Sequence, residues 1–447
     1  MGLFPFQKPV ADQMVRELEK GRVFVLASTT GSGKTYMALD AIGRLGMKAL
    51  VICPKVARSQ WARAASEMGV EGQVIGITNP EQIAKPSGCV WYTREGGWRL
   101  PPNCLVVFDE FHRSASGSEL GRRTKPVTAF AVVLLHALPS AKLLAMSATI
   151  ADTTLKFWAL GYWLGFHNGT KAGFQQWCLR NGCAWKQYGF GPRRKHALEF
   201  TKSKLRAAEI MKQIRLAMGE RFVSMGPGEI PGFPEEVREV CYVDLDKRDH
   251  DEIVAAYEAM PESYRQMAKE DQTRLLRERQ RAEFCKMGAV AELVAGHVAE
   301  GCSVFVAVNF TDARLRLQEA LDAMKIGYAA IYGGQKEQER QEGIDSFQRN
   351  ETFVMVGMAQ ACSVAVSLHD VHHERPRVGL ICPGYNGAEF IQALGRIRRV
   401  GGTAAVNKVV IAADTVEERV GRTIERKVCT IDALNGTEIT DDDLRRK

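Results

Sequence analysis

Short apolar runs alternate with helix-like segments along the first part of the chain. The runs occupy residues 22–28, 48–54, 103–110 and 142–149. They are apolar throughout rather than at every second position, which is typical of parallel strands covered on both faces. Segments with helical spacing of apolar residues lie between them, for example at residues 34–46 and 56–69. The pattern predicts βαβ units and a doubly wound parallel sheet.

The same pattern returns near the end of the chain, with runs at residues 303–310, 328–333, 352–358, 378–384 and 407–414. Between the two regions, residues 156–190 are rich in aromatic side chains, and residues 225–236 are a Gly/Pro-rich loop. We therefore predict an α/β fold with two parallel-sheet lobes. The first lobe spans residues 1–155, a mainly helical insertion and linker spans residues 156–286, and the second lobe spans residues 287–447.

Composition narrows the class of protein. The chain has 447 residues, of which 45% are hydrophobic and 25% charged, the balance of a soluble globular protein with two or more domains. It contains no run of eighteen apolar residues and no secretory signal pattern at its start, so we expect a cytoplasmic protein without a membrane partner. The net charge of +8 allows a polyanionic partner without requiring one.

Cysteine and histidine do not indicate a metal centre built from these residues. The eleven cysteines include no CxxC pair, and most stand within apolar runs, which favours reduced thiols in a cytoplasm. The cluster of His369, His372 and His373 has no cysteine at a ligand spacing nearby, so zinc is not indicated.

The strongest chemical motif is the segment Ser28–Thr35, which reads STTGSGKT, follows a strand and opens a helix. Its glycines let the backbone approach phosphate groups, and the N–H groups at the helix start point at an anion. In this pattern Lys34 reaches the β and γ phosphates and Thr35 holds Mg²⁺. The segment predicts an ATP and Mg²⁺ site, with nucleotide contacts from Thr30, Gly31, Ser32, Gly33, Lys34 and Thr35. Ser28 stands where the pattern usually has glycine.

Two adjacent carboxylates end the strand-like run at residues 103–110. Asp109 is suited to face Mg²⁺, and Glu110 to orient and deprotonate the water that attacks the γ phosphate. The pair is specific because it follows the phosphate loop within one lobe.

With these motifs, the chain resembles a superfamily 2 helicase or translocase. Asp109–His112 reads as a DExH box, and Ser147–Thr149 reads SAT after another strand. The resemblance implies two RecA-like lobes and roles in coupling for His112, Ser147 and Thr149. It also implies that Gln7 reads adenine.

The second lobe contains Gln392–Arg399, which fits the Q-x-x-G-R-x-x-R motif of that superfamily. The resemblance implies that Gln392 contacts the nucleotide and that Arg396 and Arg399 are catalytic. A planar cation aimed at the γ phosphate stabilises charge in the transition state. We assign the finger role to Arg399 and expect Arg398 to point elsewhere.

Within the superfamily, the chain is most similar to the Swi/Snf type and to compact phage-encoded DNA helicases. CPKVARSQW at residues 53–61 resembles the second motif of that type, and residues 415–419 resemble its terminal brace. The fifth motif departs from the type, because Cys362, Ser363 and Ala365 stand where glycine is expected. Those residues adopt positive φ only at a cost, so we expect this loop to differ in backbone conformation from the loop that contacts nucleic acid in that type.

Nucleic-acid contacts follow from the resemblance as well. For the lobes, the expected contacts are Lys55, Arg58, Thr93, Arg94, Asn309 and Ser363. In the insertion, the Gly/Arg-rich stretch at residues 185–195 could stack on bases, and its candidates are Trp185, Arg193 and Arg194. For the aromatic residues from Phe157 to Trp177, a packed core is favoured over nucleic-acid contact.

The sequence thus predicts a monomeric, ATP-driven helicase or translocase that moves along DNA, with single-stranded or forked DNA as the preferred track. It would serve phage replication or recombination in the bacterial host cytoplasm. Three alternatives stay open: an RNA helicase, a duplex translocase that does not separate strands, and a loading factor whose ATPase is vestigial. The recruiting partner is not indicated by the sequence.

Overall fold

The structure is a computed structural model that describes residues 2–83, 89–93, 97–114, 141–188, 195–258, 269–362 and 366–436. The chain divides into two compact units. The first comprises the described parts of residues 1–185, 198–231 and 429–447, and the second those of residues 186–197 and 232–428. Among the described residues, no helix combines the length and apolarity that crossing a membrane requires.

The first unit contains a six-stranded sheet in which every pair of neighbours is parallel. Its strands are β1 (Val23–Leu26), β2 (Ala49–Ile52), β3 (Val74–Thr78), β6 (Leu105–Asp109), β7 (Lys142–Met146) and β10 (Phe222–Val223). Their order is β10-β1-β7-β6-β2-β3. Two antiparallel hairpins lie outside this sheet. One pairs β4 (Tyr92–Thr93) with β5 (Gly97–Trp98). The other pairs β8 (Cys183–Tyr188) with β9 (Lys195–Phe200), and its residues 186–197 are counted with the second unit.

The helices of this unit are α1 (Lys8–Lys20), α2 (Lys34–Leu45), α3 (Arg58–Glu67), α4 (Pro80–Ile83), α5 (Trp158–Trp163), α6 (Lys171–Arg180) and α7 (Lys204–Met218). Helix α2 begins after Gly33 and ends at Gly46, both with positive φ. Glycine adopts this conformation without steric cost, so these two residues set the ends of the helix that carries the phosphate motif.

The second unit repeats the architecture with a second six-stranded parallel sheet of order β11-β16-β15-β12-β14-β13. Its strands are β11 (Glu236–Val243), β12 (Ser303–Val308), β13 (Ala329–Ile331), β14 (Val354–Met358), β15 (Arg377–Ile381) and β16 (Ala405–Ala412). Its helices are α8 (Lys247–Glu258), α9 (Lys269–Cys285), α10 (Met287–Ala299), α11 (Thr311–Ala323), α12 (Glu337–Gln348), α13 (Ala359–Cys362), α14 (Gly387–Leu394) and α15 (Val416–Asn435). The last residues of α15 belong to the first unit.

The predicted fold class is confirmed, because both regions of apolar runs form parallel sheets with helical connections. The central strands β1, β6 and β12 are almost entirely buried, as continuous apolar runs predict. The short edge strands β3 and β10 were not predicted.

The aromatic segment that follows the first lobe packs into the first unit rather than around a core of its own. Phe157, Trp158 and Phe174 are at most 5% exposed and share one hydrophobic cluster with Val25 and Phe108 of the sheet. Because a sheet needs apolar cover on both faces, this segment serves as cover for strands β1 and β6. Trp185, at the hairpin, is 47% exposed.

Candidate functional site

The phosphate motif forms a tight loop between β1 and α2. Gly31 and Gly33 have φ values of 82° and 81°, in the left-handed region where other residues are strained. The Lys34 ammonium donates hydrogen bonds to the carbonyl oxygens of Ser28 and Thr29, at 2.8 and 3.0 Å. The loop therefore curls around its own lysine, which stands at the first residue of α2.

Ser28, the departure from the usual glycine, has a structural partner far along the chain. Its side chain is fully buried, and its Oγ accepts a hydrogen bond from the backbone N–H of Met225 at 3.1 Å. The Thr29 N–H also donates to the Met225 carbonyl, at 3.0 Å. Edge strand β10 thus continues alongside the phosphate loop, and the Ser28 hydroxyl fixes it there.

Gln7 supports the same loop from the other side. Its amide nitrogen donates to the Ser32 carbonyl at 2.9 Å, and its Oε1 accepts from the Phe4 N–H at 2.9 Å. The side chain is 3% exposed, and a Cβ on Gly33 would overlap its amide. The predicted adenine contact of Gln7 stays a prediction; in this structure the amide binds the phosphate loop.

The loop fits a nucleotide phosphate. The first N–H groups of α2 have no acceptor within the helix, and an anion satisfies such groups. Ser32 Oγ is buried and has no hydrogen-bond partner among the described residues. With Lys34 beside these donors, the arrangement suits the phosphates of ATP, and Thr35 follows at the position predicted to hold Mg²⁺.

Asp109 lies at the carboxyl end of β6, in the same edge of the sheet as the phosphate loop. Its Oδ2 accepts a hydrogen bond from the Trp61 indole at 3.0 Å, and its Oδ1 accepts one from the Glu110 N–H at 3.0 Å. Burial and then the charge of Glu110 raise the pKa of Asp109 to about 6, against the lowering effect of Trp61 and Lys34. Asp109 is thus a half-buried carboxylate held by two hydrogen bonds, and carboxylate oxygens are ligands that Mg²⁺ prefers.

Glu110 begins a hydrogen-bonded chain of polar side chains. Its φ of 54° is unusual for a residue other than glycine, and such strain is found at functional sites. Glu110 Oε2 lies 3.3 Å from His112 Nδ1 and accepts from Ser147 Oγ at 3.4 Å. His112 Nδ1 and Ser147 Oγ are 2.9 Å apart, and the Thr149 N–H donates to Ser147 Oγ at 3.1 Å. The structure brings together the predicted catalytic carboxylate and all three residues predicted to couple.

The arginine motif of the second unit is held at one backbone oxygen. Arg396 and Arg399 both donate to the Val366 carbonyl, at 3.0 and 2.9 Å. Arg398 points elsewhere, where it pairs with Glu236 at 3.0 Å and stacks on the Phe233 ring. Two arginines are thus aligned together while the third stabilises the unit.

Gln392, on α14, is fully buried in the second unit, and Arg396 is 3% exposed. The nucleotide contact predicted for Gln392 stays a prediction. Its side chain lies in the interior of that unit.

The predicted nucleic-acid contacts are placed unevenly. Lys55 is exposed just after β2, Arg58 and Thr93 are half-buried, and Trp185 is exposed on β8. The side chain of Asn309 is held by contacts within the second unit. Its amide nitrogen donates to the Glu283 carboxylate and to the carbonyl oxygens of Cys382 and Pro383, at 2.7 to 3.3 Å. Four of the predicted contacts, Arg94, Arg193, Arg194 and Ser363, lie outside the described residues.

Sequence reasoning did not find two supports of this site. Trp61 is the last residue of the segment that resembles the second Swi/Snf-type motif; its indole is 1% exposed and binds Asp109. Met225 stood in a loop predicted from its glycines and prolines. No local signal marks either contact, because each joins residues far apart in sequence.

Comparison with known proteins gives one matching family. Residues 285–401 match the helicase conserved C-terminal domain. This segment contains β12 to β15 and the arginine motif of the second unit.

Three proteins of known name are similar to the chain. A protein of Acanthamoeba polyphaga mimivirus, described as a candidate ATP-dependent RNA helicase, is 26% identical, with 98% of this chain and 84% of that protein aligned. The structure of S. cerevisiae Dbp5 bound to RNA and ADP BeF3 has a TM-score of 0.53 at 11% identity, covering 97% of this chain and 88% of that one. The Sulfolobus solfataricus SWI2/SNF2 ATPase core in complex with dsDNA has a TM-score of 0.39 at 15% identity, covering 100% and 96%.

The Dbp5 likeness concerns the fold, and the domain match concerns the second unit. Together with the phosphate loop and the acidic pair of the first unit, they support the predicted superfamily. Residues 285–401 therefore match a helicase domain, and the chain as a whole is similar in sequence and fold to proteins named as helicases.

Proposed function

We propose that the chain is a DNA motor of the Swi/Snf type that couples ATP hydrolysis to movement along DNA. The observation that carries this proposal is the chain of contacts from Glu110 through His112 to Ser147 and Thr149. A motor needs a link between the catalytic carboxylate and the rest of its lobe, because each hydrolysis event must change a contact elsewhere.

In this proposal the first unit holds ATP and Mg²⁺. The loop from Thr30 to Thr35 binds the phosphates, and Asp109 and Thr35 would hold the Mg²⁺ ion. Bound Mg²⁺ supplies neutralisation of charge on the phosphate oxygens. Glu110 orients the attacking water and accepts its proton.

Arg396 and Arg399 would stabilise the charge that develops on the γ phosphate. Their shared acceptor, the Val366 carbonyl, holds both guanidinium groups in one place before reaction. Preorganised donors are effective because little reorganisation is needed during the reaction. Arg399 is the proposed finger.

DNA is the proposed track on the strength of the Swi/Snf-like motifs at residues 53–61 and 415–419. RNA is the second candidate, favoured by the name of the mimivirus relative, which is described as an RNA helicase. A duplex translocase without strand separation uses the same motifs and differs only in its products. A place in phage replication or recombination rests on sequence resemblance alone.

The deciding experiment is steady-state ATP hydrolysis by the full chain without nucleic acid and with single-stranded DNA, blunt duplex, forked DNA or single-stranded RNA. Glu110→Gln is the inactive variant, and Glu71→Gln at an exposed position is its matched control. We expect stimulation by DNA in the wild type and in Glu71→Gln, and loss of hydrolysis in Glu110→Gln. Stimulation by RNA alone would replace DNA with RNA as the track. Stimulation by blunt duplex without strand displacement would select the duplex translocase, and no stimulation by any nucleic acid would contradict the motor.

A further inference from the structure

A pocket of about 260 Å³ opens in the second unit, above three neighbouring strands. It lies at the carboxyl ends of β12, β14 and β15, where Asn309, Ala359 and Cys382 follow the strands. In open parallel sheets, ligands bind at the carboxyl ends of strands. None of the residues predicted from the sequence to bind ATP lines this pocket, so it is a second candidate site.

Arg279 of helix α9 forms one wall. Its guanidinium lies 4.5 Å from the centre of the Tyr385 ring and 5.4 Å from that of Phe310. Within the part of the chain that the structure describes, nothing accepts a hydrogen bond from this guanidinium. An arginine held by two rings is oriented without using its five N–H donors, which therefore remain available to a ligand.

The pocket lining also includes a carboxylate, that of Glu389. Asn386 Oδ1 accepts hydrogen bonds from the Ala388 and Glu389 N–H groups and so fixes the start of α14 beside the pocket. A cation and a carboxylate thus share one small cavity with the rings of Phe310, Tyr385 and Phe390. A lone phosphate would meet the Glu389 carboxylate, whereas a planar ring with both donors and acceptors on its edges complements the whole set.

The pocket is built on a buried ionic anchor. Glu283, one helical turn after Arg279, accepts from the backbone N–H groups of Asn309 and Phe310, at 2.6 and 3.0 Å. Lys286 follows and pairs with Glu417 at 2.6 Å, and both side chains are buried. Helix α9 therefore presents Arg279 and holds the backbone of Phe310 through the same turn, which preorganises the pocket for a ligand.

We propose that this pocket is a subsite for one unpaired nucleobase of the strand that the motor follows. The base stacks against the Phe310–Tyr385 side, Arg279 donates to its acceptor atoms, and Glu389 accepts from its N–H groups. Base stacking on aromatic and arginine side chains tolerates any sequence. This inference rests on the proposed function, since it requires a nucleic-acid strand to be bound.

The test compares two fluorescent strands of equal length on the full chain: a single-stranded DNA with bases, and a strand of tetrahydrofuran abasic units. We expect the wild type to bind the base-bearing strand more tightly. Arg279→Ala should weaken that binding about tenfold and leave binding of the abasic strand unchanged. Arg316→Ala, an exposed arginine on α11 near the Phe284 ring, is the matched control and should not change the preference for bases.

Equal weakening of both strands by Arg279→Ala would mean a phosphate contact and would overturn the subsite, as would no effect on either. If the wild type binds no strand, the motor proposal fails with it. If its ATPase responds to DNA but Arg279→Ala binds like the wild type, the subsite alone fails. A second measurement does not depend on a variant folding: ultraviolet cross-linking of an iodouracil strand to the wild type should label Phe310 or Tyr385, and labelling of neither residue would contradict the proposal.

Discussion

Trp61 donates its indole N–H to Asp109 Oδ2 at 3.0 Å, so that a side chain of α3 holds the carboxylate at the end of β6. Groups that hold a metal-binding carboxylate tune metal affinity, commonly by about 10- to 100-fold. We therefore expect Trp61→Phe to weaken Mg²⁺-dependent ATP binding by about tenfold or more, with nucleic-acid affinity unchanged. Titration of a fluorescent ATP analogue with Mg²⁺ measures the first effect.

Phenylalanine keeps most of the buried ring, so the change removes the donor rather than the packing. Trp98→Phe, at a half-buried position of the same unit, is the control and should leave Mg²⁺-dependent binding intact. A loss of nucleic-acid affinity with normal ATP binding in Trp61→Phe would contradict this role and would indicate a nucleic-acid contact for Trp61 instead.

Ser28 should prove more stabilising than the glycine that usually opens this loop. Replacing Ser28 with Gly or Ala leaves the buried Met225 N–H without its acceptor, which costs about 1–3 kcal/mol. Thermal unfolding should show a lower midpoint for both variants and a near-normal midpoint for Ser28→Thr, which keeps the hydroxyl. A glycine variant as stable as the wild type would show that the hydrogen bond contributes nothing.

Ser147 lies at the centre of the chain that begins at Glu110, since it contacts Glu110, His112 and Thr149. Ser147→Ala should leave ATP binding intact and reduce the stimulation of hydrolysis by nucleic acid about tenfold. A factor of this size corresponds to a typical coupling free energy between two sites. The ratio of stimulated to basal ATPase rates measures this. Ser66→Ala, exposed on α3, is the control, and equal loss of basal and stimulated rates in Ser147→Ala would indicate a purely structural role.

Substitution of Arg398 and of Arg399 should affect different properties, one the stability of the fold and the other the rate of ATP hydrolysis. Arg399→Ala should lower the maximal ATPase rate about 1,000-fold without changing the unfolding midpoint. Arg398→Ala should do the reverse, because it breaks a largely buried pair with Glu236 and costs about 1–3 kcal/mol of unfolding free energy. Rate and thermal midpoint measured on both variants test this. A large rate loss in Arg398→Ala would show that Arg398, and not Arg399, acts as the arginine finger.

His369 should make the second unit sensitive to acid. Burial and then the cations of Arg399 and Arg377 lower the pKa of His369 to about 4, with Asp370 opposing them, and its Nδ1 lies 2.9 Å from Ser367 Oγ. The unfolded chain therefore takes up a proton near pH 6.5 that the folded unit resists until about pH 4, so stability is lost as pH falls through that window. His369→Gln should reduce the drop in unfolding midpoint between neutral and acid pH.

The exposed His372 provides the control for this experiment. His372→Gln should leave the pH dependence of the unfolding midpoint as it is in the wild type. If His369→Gln and the wild type lose stability equally on acidification, His369 is not the group responsible.

Distance along the chain decides what the sequence could predict. Short contiguous sequence patterns predict the phosphate loop, the acidic pair and the central strands, and the structure has each of them at the predicted residues. The Trp61–Asp109 bond joins residues 48 positions apart, and the Met225–Ser28 bond joins residues 197 apart. Neither leaves a local pattern, because the sequence does not say which strand edge receives a later segment.

The aromatic segment shows the same limit in packing. It is rich in aromatic side chains, and the sequence favours burial for those from Phe157 to Trp177. A set of apolar residues indicates that a surface is buried but does not identify the partner that buries it. The same pattern is therefore compatible with a separate core and with packing against the first sheet. The short strand β10 escaped prediction because two residues carry no periodicity.

The first unit is built from three separate stretches of the chain, and this orders its folding. Strand β10 and Met225 complete the edge beside the phosphate loop, and Asn435 donates to the Ala148 carbonyl from the end of α15. During synthesis, almost the whole chain must therefore leave the ribosome before the first unit can complete its fold. A fragment cut after residue 155 would emerge with its nucleotide loop unsupported, whereas one extended through residue 231 would restore the missing strand and lack only the final helical turns.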